Sequence, residues 1–529
     1  MAELRSGLLV VRDGHQPDVV ASVAGDENRV HEVLLHEGAV AGVRASGGQH
    51  QALVLPDLAR LRLAELAACP QGTRPILFGA MQALLVAIVL ILLNASAGAE
   101  SASSIDDPAL RTRTTVLDNG LTILTLEDRT TPVVSFQVWV RVGSGDESRY
   151  TGLAHLFEHM MFRGSKNLPP EAHGRIIAER GGRVNAYTSR DVTVYFADMT
   201  AEHLPLLIEL EAERLRNLDI SEESLASERE VVLEERRMRT EDSPQGRAFE
   251  ALLALSFQAH PYRVPTIGWR SDVEKVGVED CLDFFRTYYA PDNLVISIAG
   301  DFEADEAIAL IERHMGSLIP ALEIPRNPTI EPEQTGARRS TVYFDVRGPL
   351  LTIAWHAPPT GHADAEALDV ASDILSSGRT SRLYRRLVYD EAKAMFASGG
   401  YWELHRAGVF FAMAGVRPGE SVEEVEELFL DEIGRLRVDP VDAQELEKAK
   451  RGLEVALVDG LDTSHALASR IAHDYMVFGR IRPLEERLGA IQAVTAEDVQ
   501  RVARTYLVPD KRSVVHVVKR PAEPEQESP

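Results

Sequence analysis

The chain has 529 residues, and its 81 acidic against 56 basic side chains give a net charge of −25. Such an acidic chain repels phosphate backbones, so we expect no nucleic-acid partner. A composition of 45% hydrophobic and 26% charged residues is ordinary for a globular protein, and the length predicts more than one domain.

The first predicted element is an apolar stretch at residues 76–93, followed by Ala97-Gly98-Ala99. Small residues at alternate positions are typical of a signal-peptidase site, so we predict a signal peptide at 76–99, cleavage after Ala99 and a periplasmic or secreted protein. A membrane anchor retained at 76–93 is the alternative. Residues 1–75 form an uncertain upstream segment, and a start site assigned too far upstream would explain positions 1–73.

Residues 155–159 read His-Leu-Phe-Glu-His within an apolar segment. On a helix, positions i, i+3 and i+4 share one face, so His155, Glu158 and His159 are expected to point into the same space. This H-x-x-E-H order is that of inverted zinc peptidases, and it supplies two ligands and a base but lacks the third ligand of a catalytic zinc. The alternative is a partly buried helix with two hydrogen-bonded histidines and a solvated glutamate.

Further along, residues 184–188 and 192–197 alternate apolar and polar side chains, which predicts two strands. An edge strand here would accept an extended peptide by strand addition. Residues 224–239 then form a strongly charged helical segment. Its four glutamates are all candidates for the missing ligand, and their spacing does not choose among them: Glu228, Glu230, Glu234 and Glu235.

Residues 113–519 resemble the insulinase and pitrilysin type of zinc peptidase, most closely its half-length branch, which includes the mitochondrial processing peptidase. The resemblance rests on five blocks in order: 152–165, 184–196, 228–238, 260–269 and 288–302. It implies that Glu235, which follows His159 at the family's spacing, is the third ligand and that Glu228 supports the site. It also implies that Asn185 and Ala186 lie beside the substrate, although for Asn185 an ordinary strand-end hydrogen bond is the alternative.

The chemistry expected of this set is amide hydrolysis by a water that one Zn²⁺ per chain activates, with Glu158 as general base. We therefore expect an exported zinc endopeptidase acting on peptides or unfolded protein segments. A non-catalytic peptide-binding or scaffold subunit is the alternative function. The intact set of ligands and base favours the enzyme, because a scaffold does not need a base between two ligands.

An internal repeat divides the chain. The motif at 276–292 recurs at 494–510, and 132–136 is echoed by 349–353 at nearly the same interval. We expect an α+β fold made by tandem duplication, and the resemblance implies that each domain is a mixed sheet with helices on one face. At the interval that joins 132–136 to 349–353, the second copy has Ser372, Leu375 and Ser376 in place of the motif, so only the first copy is expected to bind zinc.

The predicted boundaries follow from the repeat and the composition. They are a linker at 100–112, a zinc-binding domain at 113–325, a second, inactive domain at 326–519, and a disordered tail at 520–529. The mature chain would contain one thiol, Cys281, and no internal disulfide.

The resemblance also implies a partner. Active relatives enclose a chamber from four domains, and their second domain carries an Arg and, seven residues later, a Tyr that hold the substrate carbonyl. Alignment places Val388 and Met395 at these positions, and a shift by one gives Tyr389 and Phe396. Arg382 and Tyr389 have the spacing but start six positions too early, so we expect them to be helix-surface residues. We expect a heterodimer with a homologous chain that bears the pair, and a homodimer as the weaker alternative.

Overall fold

The computed structural model describes residues 107–521 and, as a separate unit, an antiparallel hairpin of strands β1 (Glu32–His36) and β2 (Val40–Arg44). The predicted signal segment at 76–99 lies outside the described residues, as do most of the predicted linker and tail. None of the helices in the described part of the chain combines the length and apolar character needed to cross a bilayer.

The first half of the main unit contains a six-stranded mixed sheet, in the order β3-β4-β8-β5-β7-β6. Its central strands are buried on both faces, which fits their content of Val, Ile, Phe and Leu. The strand bounds are β3 (Arg113–Val116), β4 (Thr122–Glu127), β5 (Val133–Val140), β6 (Arg183–Thr188), β7 (Thr193–Thr200) and β8 (Leu294–Gly300).

Nine helices belong to this half of the described chain, and a π-helical turn (Arg237–Glu241) follows the fifth. They are α1 (Pro108–Arg111), α2 (Leu153–Met160), α3 (Ala172–Ala178), α4 (Leu204–Asn217), α5 (Glu222–Arg236), α6 (Pro244–Ser256), α7 (Arg270–Val273), α8 (Val278–Tyr288) and α9 (Ala304–Met315).

The second half repeats the arrangement as a five-stranded sheet, in the order β11-β12-β10-β13-β9. Its strands are β9 (Arg338–Tyr343), β10 (Leu350–Ala357), β11 (Ala394–Trp402), β12 (Gly408–Val416) and β13 (Ser513–Val518). Its helices are α10 (Ala365–Ser376), the π-helical turn Tyr384–Asp390, α11 (Val422–Val438), α12 (Ala443–Asp459), α13 (Ser464–Phe478), α14 (Leu484–Ala493) and α15 (Ala496–Tyr506).

The two sheets have equivalent strand orders, and the predicted fold class of two duplicated mixed-sheet domains is confirmed. Helix α10 stands where α2 stands in the first half, and Leu375 on it is fully buried. The region between the halves, residues 316–337, contains neither helix nor strand in the structure, and Glu331 within it accepts hydrogen bonds from three backbone N–H groups of residues 258–260.

The two halves exchange helices, which the sequence did not lead us to expect. Helix α13, from the second half, covers the outer face of the first sheet, where Leu467 and Ile471 pack against Leu126 and Val295. Helix α6, from the first half, covers the equivalent face of the second sheet, packing against β10 and β13. Each sheet thus has its own helices on one face and a helix of the other half on the opposite face.

Candidate metal centre

Helix α2 carries the H-x-x-E-H motif, and its start is fixed from outside the helix. The Glu147 carboxylate accepts hydrogen bonds from Gly152 N at 2.9 Å and Ala154 N at 2.8 Å, which are N–H groups that a helix start leaves unpaired. Gly152 has φ +85°, and a Cβ there would lie 2.5 Å from the Ile267 carbonyl oxygen. Glycine is therefore required where the chain enters the motif.

The apolar side of α2 determines where its polar residues point. Leu156, Phe157 and Met160 are fully buried in the main core, so the histidines face helix α5. There, Nε2 of His155 lies 3.8 Å and Nε2 of His159 lies 3.6 Å from Oε2 of Glu235. In the described chain these three residues form the only group of His, Cys, Asp or Glu side chains close enough to hold a metal ion.

The donor set fits zinc. A tetrahedral zinc with ligand bonds of about 2.1 Å separates its ligand atoms by about 3.4 Å, close to the spacings between Glu235 and the two histidines. Two imidazoles and one carboxylate form a common catalytic zinc set that leaves a fourth position open. Burial and the neighbouring His159 lower the pKa of His155 to about 4, so the ring is neutral at pH 7, as a metal ligand must be.

A second carboxylate fixes the orientation of His159. Its Nδ1 lies 3.0 Å from Oε2 of Glu228, and Arg163 donates to the other oxygen of this carboxylate. Glu228 is 3% exposed. A carboxylate that accepts the Nδ1 proton leaves the Nε2 lone pair free for the metal side.

The remaining residue of the motif, Glu158, is 8% exposed, and its Oε2 accepts a hydrogen bond of 2.6 Å from Thr188 at the end of β6. Burial raises the pKa of Glu158, whereas the hydrogen bond from Thr188 opposes this shift. A raised pKa suits a group that must take up a proton and then return it.

The other glutamates of α5 do not approach this site. Glu230 is exposed, and Glu234 is about half exposed and forms an ion pair with Arg237 at 2.6 Å. Glu235 faces inward, and its second oxygen contacts Arg239 at 2.6 Å. The neighbouring His159 ring is the main reason that the pKa of Glu235 is lowered.

A cavity of about 300 Å³ opens beside the donor set. His155, Glu235, Thr188 and Arg190 line one part of it, and α6 contributes Phe249 and Leu253 among others. The helix that crosses to the second half therefore forms part of the wall beside the donors.

The predicted substrate strand is an edge strand. Strand β6 pairs only with β7, so its outer side is unpaired within the described chain. Asn185 is exposed, and its Oδ1 accepts from Ala186 N at 2.9 Å. The role of Asn185 and Ala186 beside a substrate stays a prediction, and the hydrogen bond between them is a local contact within the strand.

Arg382 and Tyr389 in the second half are not both available as an Arg/Tyr pair, because Glu445 holds Arg382. Arg382 bonds Glu445 through two nitrogen atoms, at 2.8 and 2.6 Å, and is largely covered, which differs from the expected surface position. Tyr389 is 78% exposed, as expected.

Two contributors to the site were not assigned from the sequence. Thr188 belongs to the quoted strand motif, but its hydrogen bond to Glu158 joins two different elements, helix α2 and strand β6. Glu147 lies shortly before the motif, and an acidic residue just before a Gly-initiated helix was the available signal for its capping role.

Two histidines of one helix and a glutamate of another that converge in this way form a donor set typical of zinc metallopeptidases. Comparisons with known proteins agree. The family model described as insulinase (peptidase family M16) matches residues 122–269, and the model described as peptidase M16 inactive domain matches residues 275–453.

Similar proteins extend over nearly the whole main unit. The zinc protease PqqE of Helicobacter pylori is 30% identical over 427 residues, covering 80% of this chain and 95% of that protein. A probable mitochondrial-processing peptidase subunit beta of Schizosaccharomyces pombe is 28% identical over 425 residues, covering 77% and 91%. The crystal structure of a protease from Helicobacter pylori has a TM-score of 0.74 at 29% identity and covers 77% of this chain and 99% of that one. The chain therefore belongs to the insulinase (M16) family of peptidases, in its half-length branch.

Proposed function

We propose that this chain is an exported zinc-dependent endopeptidase that cleaves peptides or unfolded protein segments, with Glu158 as general base. The observation that supports it best is the convergence of His155, His159 and Glu235 next to the buried Glu158 carboxyl. Zinc, when bound, supplies Lewis acidity that activates water and polarises the peptide carbonyl.

Each side chain then has a task. Glu158 takes the proton of the attacking water and returns it to the leaving amine. Thr188 holds the Glu158 carboxylate in one orientation through its 2.6 Å hydrogen bond. The free edge of β6 supplies main-chain groups that pair with an extended peptide, and Asn185 and Ala186 lie on that strand.

Replacement of the base separates it from the ligands. Glu158→Gln should keep near-stoichiometric zinc and lose hydrolysis, because the amide leaves both imidazoles in place but accepts no proton. His159→Ala and Glu235→Ala should lose zinc and hydrolysis together. Zinc content by mass spectrometry and cleavage of a peptide library decide the matter, and a fully active Glu158→Gln protein contradicts the mechanism.

We also propose that the working enzyme is a heterodimer with a homologous chain bearing the Arg/Tyr pair. Val388 and Met395 occupy the aligned positions, and Arg382 is engaged by Glu445. A missing oxyanion donor commonly costs a factor of about 10² to 10³ in rate. The purified chain should therefore bind zinc yet cleave poorly alone, and an Arg/Tyr-bearing homologue should restore that factor. Full activity of the isolated chain, unchanged by Arg382→Ala or by the homologue, contradicts the heterodimer.

The non-catalytic alternative makes a different prediction, namely zinc-independent peptide binding and no cleavage even with the partner present.

Export rests on residues 76–99, and sequencing the mature N-terminus tests it. A terminus beginning at Glu100 supports a cleaved signal peptide, and retention of residues 76–93 supports the anchor.

A further inference from the structure

Arg190 is a buried cation that forms no ion pair with an acidic side chain of the described residues. The residue is 6% exposed, its Nε donates to the Tyr262 carbonyl oxygen at 3.3 Å, and its guanidinium stacks 4.8 Å from the centre of the Trp402 ring. Within residues 107–521 no carboxylate forms an ion pair with this guanidinium. Burial lowers the pKa of Arg190 to about 10, so the side chain is still charged at neutral pH.

The nearest acidic residue in sequence is already engaged. The Asp191 carboxylate accepts hydrogen bonds from the Tyr262 hydroxyl and from His405 N, and it lies 3.4 Å from Nε of Arg406. A buried guanidinium without an ion pair destabilises the folded chain, because its lost hydration is replaced here only by the Tyr262 carbonyl, the Trp402 ring and the longer-range attraction of Asp191. A ligand from outside the fold would supply the missing ion pair.

The cavity beside the metal donors supplies one. Arg190 and His155 line the same cavity, whose acidic groups are already paired: Glu250 with Arg236 at 2.8 Å, and Glu235 with Arg239. Arg263 adds a second lining cation, and its Nη1 donates only to a backbone carbonyl. The cavity thus carries a local positive excess in a chain whose net charge is −25.

Its position also suits a substrate side chain. Arg190 lies just beyond the end of β6, the edge strand proposed to hold the peptide. Thr188 at the end of that strand also lines the cavity, so a peptide paired with the strand would pass it, with each extended residue advancing about 3.3 Å. A volume of about 300 Å³ is enough for one side chain, and that side chain would come from a residue close to the cleaved bond.

We propose that Arg190 binds a carboxylate of the substrate, so that the enzyme prefers peptides with Asp or Glu within about two residues of the scissile bond. This inference rests on the proposed peptidase function. The same guanidinium would accept the free C-terminal carboxylate of a short peptide, which is a second source of the same group. In both cases the ligand is a carboxylate that forms charge-assisted hydrogen bonds with the Nη atoms.

The test uses the zinc-loaded full chain together with its partner homologue. Matched peptides carry Glu or Gln at each position around the cleaved bond, with a free or an amidated C-terminus. We expect Glu to raise kcat/KM about 10- to 100-fold at one position, mainly through KM, since hydrogen bonds to charged groups have this strength. Arg190→Gln should abolish the difference, Arg190→Lys should keep part of it, and Arg435→Gln on α11 should leave it unchanged.

A binding measurement separates this proposal from the proposed function. The zinc-loaded Glu158→Gln protein should bind the Glu peptide more tightly than the Gln peptide by a similar factor, without any cleavage. Equal affinity for the two peptides in a protein with intact Arg190 overturns the carboxylate site, whether or not peptides are cleaved. A preference that follows the free C-terminus instead of the side chain assigns the site to the chain end.

Discussion

Glu228→Gln is the perturbation that most directly tests how the metal centre is built. In the structure the two oxygens of Glu228 serve two donors, Nδ1 of His159 at 3.0 Å and the guanidinium of Arg163. A glutamine has one acceptor oxygen and an NH₂ group that only donates. One of the two donors therefore loses its partner, and Arg163, which also pairs with Glu171, loses one of its two carboxylate partners.

The size of the effect follows from the role of this carboxylate. Loss of an outer partner of a metal-ligating histidine commonly weakens metal binding about 10- to 100-fold, which corresponds to about 1.4 to 2.7 kcal/mol. Because Glu228 is 3% exposed, water does not substitute for the lost acceptor. We therefore expect a loss of zinc affinity in the upper half of that range and a modest loss of thermal stability.

The assay is competition for zinc between the protein and a chelator, followed by fluorescence and checked by mass spectrometry. Glu230→Gln and Glu234→Gln are matched controls on the same helix, and both side chains point away from the donors. These controls should retain zinc as the parent does. An unchanged zinc affinity in Glu228→Gln refutes the reasoning, and loss of zinc in Glu234→Gln with retention in Glu235→Gln shows that α5 is rotated relative to the structure.

Two further changes probe other contacts. Thr188→Val removes the hydrogen bond to Glu158 and should lower kcat about tenfold. Because that bond favours the ionised carboxylate, its loss should also move the acid limb of the pH–rate profile to higher pH. An unchanged profile contradicts this prediction. In the second half, burial opposes ionisation of Glu426, but hydrogen bonds from His516 and Arg339 outweigh it and lower its pKa to about 2. The stabilisation by the ionised Glu426 is therefore present above about pH 4.5 and is lost as the pH falls toward 2. Glu426→Gln should lower the free energy of unfolding at pH 7 by about 1 to 2 kcal/mol and should make this free energy fall less steeply in acid. Urea denaturation at several pH values measures both effects.

The sequence predicted the local geometry of the site better than its distant partners. Helical periodicity alone places His155, Glu158 and His159 on one face, because that relation is fixed by the backbone. The choice of Glu235 over Glu234 depends on how α5 is rotated about its axis relative to α2. This rotation is set by packing between segments far apart in the chain, which a local sequence pattern does not reveal. The resemblance to a family supplied that register.

The hydrogen bond from Thr188 to Glu158 and the lack of an ion pair at Arg190 within the described residues also depend on contacts between segments far apart in the chain. The strand pattern predicted β6, but it does not say which helix its last residue faces. Similarly, the apolar faces of α6 and α13 predict that each helix packs on something, without specifying that each one covers the sheet of the other half.

The exchange of α6 and α13 leads to the last prediction, that the two halves do not fold separately. Without α13, residues 113–325 would expose a row of apolar side chains on β4, β5, β7 and β8 that are now at most 3% exposed: Leu124, Leu126, Trp139, Val194 and Val295. Burying side chains of this kind stabilises by about 1.5 to 3 kcal/mol each, so their sum is comparable to the entire stability of a typical domain.

We therefore expect the fragment 113–325, produced alone, to aggregate or remain unfolded and to bind no zinc at stoichiometric ratio. Mixing it during refolding with fragment 326–519 should recover both zinc binding and a cooperative transition. The intact chain should unfold in one calorimetric step, and Ile471→Ala on α13 should lower its stability by about 2 to 4 kcal/mol and release zinc in the same transition. Cooperative folding of the isolated 113–325 fragment with bound zinc would show that the crossing helix is dispensable, and two separate transitions in the intact chain would lead to the same conclusion.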